Sequence, residues 1–595
     1  MPPAKHSTFM SDHSSMSDSH IGEISENIDG FITGPLDGFF SKYFGNAASD
    51  DAFQKTVREV CAHHPLEGAT TSVEGFCRWI SALPVEDYVG ARGSWKMSCH
   101  TDEMYKTDLS AQLSFIFTNN GTYTESDQAA IQIIGEFCPG QGISYTNGLL
   151  NLCARASALF MARPTRLFLH GLYLRGNLAE LFVFDRCGLY SCNVFNIYED
   201  FQRFITALLK YSSMTDAELG LSDIIRHDGV GPFVTLKKDA CTTLTSSTLR
   251  LANRPLAIPE DMVSKATTCF RARMPDSDRW DYVVKFKWRL RDDIPEDQVL
   301  RHANKRNVWG LLSLDYFDEI IDTAELRSGL RHRPNRRFPP KDGPDMSVPS
   351  GRGVDSHTVE TDETFRVRTM VCIITSPCGR PLHTHESVLE LLQVLRDAVK
   401  SHRSLYEDGG ILHQDIAPGN IVISERVDPE APKGILIDLD VAMILDVGPR
   451  NPGGISITGT PPFMAIGALR GRPRTYRHDL ESFLYVLLWA VIADGSESPP
   501  EGSRLQRWRR GGYEEMAGRK MVDMAPDGFQ SILLEFASKY QTLRPLVEGF
   551  RQLLFPIRED DGTLWTGTVS SQDGRAMLYD GILQMFDKAI TLQKS

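Results

Sequence analysis

Asp415 and Asn420 stand five residues apart in the run Ile411 to Ile423, which reads I-L-H-Q-D-I-A-P-G-N-I-V-I. Apolar residues flank both ends, so the polar pair sits in a short loop between strand-like segments. A carboxylate there can accept the proton of an attacking hydroxyl, and an amide oxygen just beyond it can hold a divalent cation on a polyphosphate. Further on, G-I-L-I-D-L-D-V-A from Gly434 to Ala442 is an apolar strand ending at Asp438, a hard oxygen ligand of the kind magnesium takes. Taken alone, Asp415 reads equally well as the cap of a turn. The order Asp415, Asn420, Asp438 favours phosphoryl transfer. That chemistry also needs a cation for the phosphates and an acid to hold it. Lys285, in V-V-K-F, and Glu296, at the opening of the next helix, supply both in the required order, although exposed Lys and Glu on neighbouring elements are commonly just solvated charges.

These residues need elements to position them. Residues 1–27 are rich in Ser, His, Met and Asp with no apolar period, which predicts a disordered tail. A leader over 28–220 opens with short helices through Phe39, Tyr43, Phe44 and Phe53, Val57, Val60. It continues with strands at Ala130–Ile134, Arg166–His170 and Ala179–Phe184, and a helix over Asp200–Tyr211. A second unit over 229–382 contains strands at Met262–Met274 and Tyr282–Trp288, joined by the turn Pro275–Asp278 as a hairpin. Pro295 then opens a helix to Ala303, with Glu296 and Asp297 complementing its dipole. Residues 327–360, dense in Arg, Pro and Gly, predict a flexible insertion, after which Val367–Ile374 resumes the sheet. A last unit over 383–595 begins with an amphipathic helix over His385–Ser404, and beyond Thr475 almost everything is helical in pattern.

Composition sets the bounds. At 595 residues, two or three domains are expected, and 41% hydrophobic with 24% charged residues is ordinary for globular chains. A net charge of -13 argues against bulk nucleic-acid binding. Eleven cysteines without a C-x-x-C pair suit a reducing compartment rather than a disulfide frame. The N-terminus lacks the apolar stretch of a signal peptide, and the longest apolar run, Phe483–Ala493, is too short to span a bilayer. A cytoplasmic or nuclear protein without a membrane partner is expected. The basic run Arg331–Arg337 reads as a nuclear import signal, a contact for an acidic partner, or a solvated loop.

In order, V-V-K, Glu296, L-H-Q-D-I-A-P-G-N, I-D-L-D, T-G-T-P-P-F-M-A and H-D-L-E-S-F-L-Y-V-L-L-W resemble a eukaryotic-type protein kinase domain. More narrowly, the chain resembles the fungal-type protein kinase family expanded in mushroom-forming fungi. H-G-L-Y-L-R-G and F-V-F-D-R-C-G-L, between His170 and Leu189, are similar to that family's leader, so the resemblance runs over about residues 30–590. It implies an α+β, two-lobed kinase-like fold: a small β-rich N-lobe and a large helical C-lobe, preceded by an α+β leader. It implies serine/threonine phosphorylation of a protein partner with ATP and Mg2+. By resemblance Asp415 and Asn420 are catalytic, Asn420 and Asp438 hold the metal, and Lys285 and Glu296 bind the nucleotide with Ala266 and Thr267 of the phosphate loop. Asp479 resembles the buried helix aspartate that braces the catalytic loop, and Thr458-Gly459-Thr460 the segment that seats a substrate.

Several residues depart from that pattern. Gln414 replaces the Arg before the catalytic Asp, which removes a grip on a phosphorylated activation loop. Ala417 replaces the Lys two positions after Asp415, and Ala465-Ile466-Gly467 replaces A-P-E, losing a structural carboxylate. Ser264-Lys265-Ala266-Thr267-Thr268 fills the phosphate-loop place without a glycine, and Gly229-Val230-Gly231 is a weak substitute. Asp440 replaces the glycine of D-F-G, adding a charge beside Asp438 that either helps hold metal or repels nucleotide. A pseudokinase or nucleotide-binding scaffold is therefore an alternative. Another is a small-molecule kinase of the aminoglycoside or choline type, suggested by P-G-N and opposed by T-G-T-P-P-F and D-L-E-S-F. In the leader, Asp127 followed by Glu136-Phe137-Cys138 is loosely similar to a nuclease acid-then-E-x-K layout. Cys138 stands where the lysine belongs, so Glu136 is read as a strand-end surface residue.

Overall fold

The computed structural model describes residues 32–66, 68–83, 91–97, 113–119, 128–139, 145–237, 241–259, 262–331, 367–425, 428, 430–447, 457–560, 562–568 and 571–594. The predicted tail, Asp127, Arg333–Arg337 and residues 332–360 of the predicted insertion lie outside them.

The first eight strands form one sheet: β1 (Ile32–Thr33), β2 (Gly93–Met97), β3 (Leu113–Asn119), β4 (Ile131–Cys138), β5 (Phe168–Arg175), β6 (Leu178–Asp185), β7 (Gly188–Ser191) and β8 (Phe195–Asn196). Their order is β1-β7-β6-β5-β4-β3-β2, with β8 on β6. Helices α1 (Phe39–Ser49), α2 (Asp51–His63), α3 (Val73–Ser81), α4 (Tyr145–Ala162) and α5 (Phe201–Ser213) accompany it. Both faces are covered: α4 packs with Ile134, Leu169 and Phe182, while α1–α3 and α5 pack with Ile133, Leu172 and Leu181. A strand sandwiched this way reads as a continuous apolar run, and every residue of β4 is buried. This corrects the reading of Glu136 as a surface residue. It is 1% exposed and accepts a bond of 2.7 Å from the Ser114 hydroxyl.

A second sheet takes β9 (Arg226–Asp228), β10 (Gly231–Thr235), β11 (Cys241–Thr242), β12 (Thr248–Leu251), β13 (Thr268–Arg273), β14 (Tyr282–Leu290), β15 (Ser313–Asp322) and β16 (Arg368–Ser376), in the order β11-β15-β16-β14-β13-β12-β10-β9. The expected hairpin is β13–β14, with Cys269 opposite Lys285. Only Thr268–Arg273 of the predicted strand Met262–Met274 is extended. Residues 262–267 form an irregular approach whose Lys265 carbonyl accepts from Trp288 N at 2.6 Å. Helix α6 (Glu296–Lys305) follows β14, and α7 (Thr323–Leu326) follows β15.

The start of the predicted insertion is fixed structure. Arg327, 7% exposed, donates from Nε and Nη2 to the two oxygens of Asp185, each bond 2.7 Å, and so pins the second sheet to the leader. Leu326 and Leu330 pack on the leader core, and Arg331 exchanges two 3.0 Å backbone bonds with Asp37. A run read as flexible from its Arg and Gly content thus begins as an interface.

Below the second sheet lie short strands and helices: α8 (Val388–Glu407), α9 (Ile466–Leu469), α10 (Tyr476–Ala493), α11 (Tyr513–Met524), α12 (Pro526–Leu533), α13 (Arg544–Leu554) and α14 (Gln572–Lys594). Strands β17 (Gly379–Pro381), β19 (Ile421–Ser424) and β20 (Gly434–Leu436) form one small sheet, β18 (Ile411–Leu412) and β21 (Met443–Ile444) another. Every residue of α10 is buried, as its nearly continuous apolar sequence requires. A capping box between Thr475 and His478 starts it, and Asp494 ends it in the left-handed region. The chain is thus α+β, with strand-rich and then helix-rich parts. Among the described residues no helix is long and apolar enough to cross a membrane.

Candidate active site

Asp415 lies just past β18, and α10 holds the turn that carries it. Asp479 is the fourth residue of α10 and 2% exposed. Its Oδ2 accepts from His413 N at 3.1 Å, Gln414 N at 3.2 Å and His402 Nε2 at 3.0 Å. Burial alone would raise its pKa, but the His402 bond and charge outweigh that and hold the carboxyl below the ordinary range. The two backbone donors belong to the turn that carries Asp415, in which Gln414 has φ 68°, a left-handed conformation that a non-glycine residue keeps only when its surroundings enforce it. The third partner, His402 of α8, is held in turn at Nδ1 by the Tyr579 hydroxyl, 2.9 Å away. Sequence reasoning did not find His402.

Both oxygens of Asp415 are engaged. Oδ1 accepts from Thr460 N at 2.8 Å and Thr460 Oγ1 at 2.7 Å, and Oδ2 from Asn420 Nδ2 at 3.1 Å. Asn420 Nδ2 also reaches the Asp415 carbonyl at 2.8 Å, so its nitrogen faces Asp415 and its amide oxygen is the atom suited to a cation. Two bonds tie this loop to the strand that delivers Asp438. Ile437 N donates to Asn420 O at 3.0 Å, and the His413 ring lies 3.1 Å from Ile437 O.

Opposite, the strand period places Lys285 and Lys287 on one face of β14. Lys285 Nζ lies 2.9 Å from Glu296 Oε2 and 2.8 Å from Asp438 Oδ1. Burial lowers the pKa of that ammonium, yet Asp438 and Glu296 outweigh it and leave the group above the ordinary lysine value. Asp438, at φ 65°, shows the reverse balance: burial raises its pKa, and Lys285 with Lys287 takes it well below the usual range. Lys287 Nζ lies 2.5 Å from Glu296 Oε2 and also pairs with Asp440, while Lys265 Nζ reaches Asp440 Oδ2 at 3.5 Å. Burial pulls Lys287 down to about 8 against the pull of Glu296. Between the two aspartates, Leu439 turns away into a buried cluster with Val299, Leu300 and Ala303 of α6. That anchor fixes which way Asp438 and Asp440 point.

Asp440 therefore sits in the same charge cluster as Glu296 and Asp438, its carboxylate neutralised by lysines. Among the described residues these three carboxylates are the one group close enough to share a metal ion. The hard oxygens of Asp438 and of the Asn420 amide are a donor set that suits magnesium, and Asp438, 34% exposed, is the most open of the three acids. Of the phosphate-loop residues named from sequence, Ala266 is buried in the core of the second sheet, at φ 45°, and Thr267 is half-buried. The side chain from this loop that enters the cluster is Lys265. V-V-K-F-K-W held the signal for Lys287, since alternate residues of a strand share a face.

The carboxylate missing at Gly467 is supplied from elsewhere. Glu481 of α10 accepts from Ile466 N at 2.7 Å, Tyr485 OH at 2.7 Å and Arg477 Nη1 at 2.8 Å. A side chain at 467 would collide with the His478 ring at Nε2. Lys520, wholly buried, donates to Pro462 O at 2.8 Å and Met464 O at 2.6 Å, fixing the segment that follows Thr460.

A family model described as fungal protein kinase matches residues 112–491, more than half of the chain. Casein kinase I homolog 2 of Saccharomyces cerevisiae is 26% identical over 202 residues, 31% of this chain and 34% of that protein. Casein kinase I homolog RAG8 of Kluyveromyces lactis is 24% identical over 198 residues, 31% of this chain and 35% of that protein. The matched part is thus about a third of the length of these curated relatives.

Proposed function

We propose a serine/threonine phosphotransfer activity from this premise: the chain belongs to the fungal protein kinase family. The observation that carries the proposal is the Lys285 ammonium, 2.9 Å from Glu296 and 2.8 Å from Asp438, whose strand is tied through Ile437 to the loop of Asp415 and Asn420. In this reading Lys285, aimed by Glu296, binds the phosphates of ATP. Asp415 accepts the proton of a serine or threonine hydroxyl as its oxygen bonds to the γ-phosphorus and the bond from that phosphorus to the β–γ bridging oxygen breaks, releasing ADP. Asp438 and the Asn420 amide oxygen would hold magnesium, which when bound neutralises charge on the transferring phosphoryl group. Thr460, bonded to Asp415 by backbone and hydroxyl, keeps the carboxylate from turning away and marks where the acceptor segment seats.

A nucleotide-binding scaffold is the second reading, favoured by the lysines that occupy Asp440 and by the loop without glycine. One experiment separates the two. The purified chain is incubated with γ-labelled ATP, magnesium and casein, an acceptor suggested by the names of the relatives, alongside Asp415→Asn. Transfer by the parent and loss of at least about a hundredfold in the variant, with nucleotide binding kept, is the expected result. Nucleotide binding without transfer by the parent overturns the enzyme in favour of the scaffold.

A further inference from the structure

We propose that Lys265 grips the terminal phosphates of the nucleotide, in place of the backbone N–H groups that a glycine-rich loop would offer; this rests on the phosphotransfer reading above. The approach to β13 cannot present its backbone as a glycine loop does. Ala266 holds φ 45° with its methyl in the core, Ala266 N bonds to Ser264 Oγ at 3.0 Å, and the Lys265 carbonyl is tied to Trp288 N. The Ala266 donor and the Lys265 acceptor are thus spent on the protein, while the Lys265 side chain reaches the acids at Asp440.

Three ammonium groups meet the acids Glu296, Asp438 and Asp440, and exposure separates their roles. The Lys285 and Lys287 side chains are 12% and 3% exposed, and that of Lys265 is 43%. Lys265 also makes the longest of the primary pairs, 3.5 Å to Asp440 against 2.9 Å for Lys285 to Glu296. A long, half-solvated pair is weak, so it exchanges readily for a dianionic phosphate. When Lys265 leaves, Asp440 stays neutralised by Lys287, which is fixed by burial and by Glu296. This answers the objection that Asp440 repels the nucleotide: its charge is matched from below, and the lysine above it is free to serve the ligand. A lysine acts here as a point charge with rotatable donors, which suits phosphate without demanding a fixed approach.

The test uses the full chain, with binding of ATP, ADP and adenosine measured by calorimetry in the presence of magnesium for the parent, Lys265→Ala, Lys265→Gln, Lys265→Arg and Lys285→Met. Ligand-free melting confirms that each variant is folded. Loss of one charge-assisted contact weakens ATP binding by roughly ten- to a hundredfold in the Ala and Gln variants, with adenosine unchanged and Arg restoring most of the affinity. Equal weakening of ATP and adenosine overturns the proposal, because the lysine would then only shape the loop. Unchanged ATP binding in Lys265→Ala alongside weakened binding in Lys285→Met overturns it while leaving the phosphotransfer reading intact. Absence of nucleotide binding by the parent overturns both.

Discussion

Lys287 and Asp440 form a buried couple whose worth a double-mutant cycle can measure. Their side chains are 3% and 8% exposed. Burial takes the Lys287 ammonium from 10.5 to about 8 even with Glu296 raising it. That is about 3 kcal/mol by which desolvation, with the repulsion of Lys285, exceeds the attraction of its partners. Asp440→Ala removes a partner and leaves the ammonium with Glu296 alone, a loss of about 2–4 kcal/mol, at or somewhat below the usual range for breaking a buried pair because one partner remains. Lys287→Met removes the ammonium but leaves Asp440 to Lys265 at 3.5 Å and Lys285 at 3.9 Å, a smaller loss of about 1–2 kcal/mol. In the double variant neither charge is buried, and stability is about that of the parent or up to roughly 3 kcal/mol higher. Urea unfolding followed by tryptophan fluorescence suits the case, since Trp288 lies on the same strand and is 1% exposed. A double variant whose loss equals the sum of the singles within about 0.5 kcal/mol refutes the coupling.

Asp479→Ala leaves three buried donors without an acceptor, so it destabilises by about 3–5 kcal/mol and lowers transfer together; Asp415→Asn instead abolishes transfer with its melting temperature nearly unchanged, and a neutral Asp479→Ala in both assays sinks the bracing role. Gly467→Glu, which supplies the glutamate of the A-P-E pattern, destabilises by about 1–3 kcal/mol instead of rescuing anything, because the His478 ring already fills that space and Glu481 already serves Ile466; higher activity in this variant counts against that assignment. Burial holds His170 and His478 at about 4, against 6.5 when unfolded. Between those values the unfolded chain binds more protons, so stability falls as pH drops from about 6.5 to about 4, by about 3 kcal/mol per histidine. Glu180, raised by burial to about 7, has the opposite sign and offsets about one histidine; equal pH 7 to pH 5 changes in melting temperature for the parent and a His478→Phe variant would rule the histidine contribution out.

The residues that local pattern could reach were those whose role is written in their own segment. Lys285 and Glu296 are legible because a strand and the helix after it bring them together across 11 residues. Asp479 is legible because a carboxylate inside an all-apolar helix must be paired. What escaped was contact over long separations. Lys287 meets Asp440 across 153 residues, and His402 meets Asp479 across 77. Glu481 was not legible because its contact with Ile466 N spans 15 residues and two helices. Glu136 was misjudged as a strand-end surface residue because nothing in its own segment shows that helices cover both faces of β4. Ala266 and Thr267 were named by position in a loop, and only the backbone path shows that their neighbour is the one facing the acids.

The Asp185–Arg327 pair has a mechanical consequence. It sits where β15 ends, and β15 runs beside β16, which lies against β14 and its two lysines. The leader and the second sheet are thus bolted at a buried joint. With a bolt there in place of a hinge, the two behave as one lever arm, so a twist of the leader loads β15 and β16 before any slack is taken up.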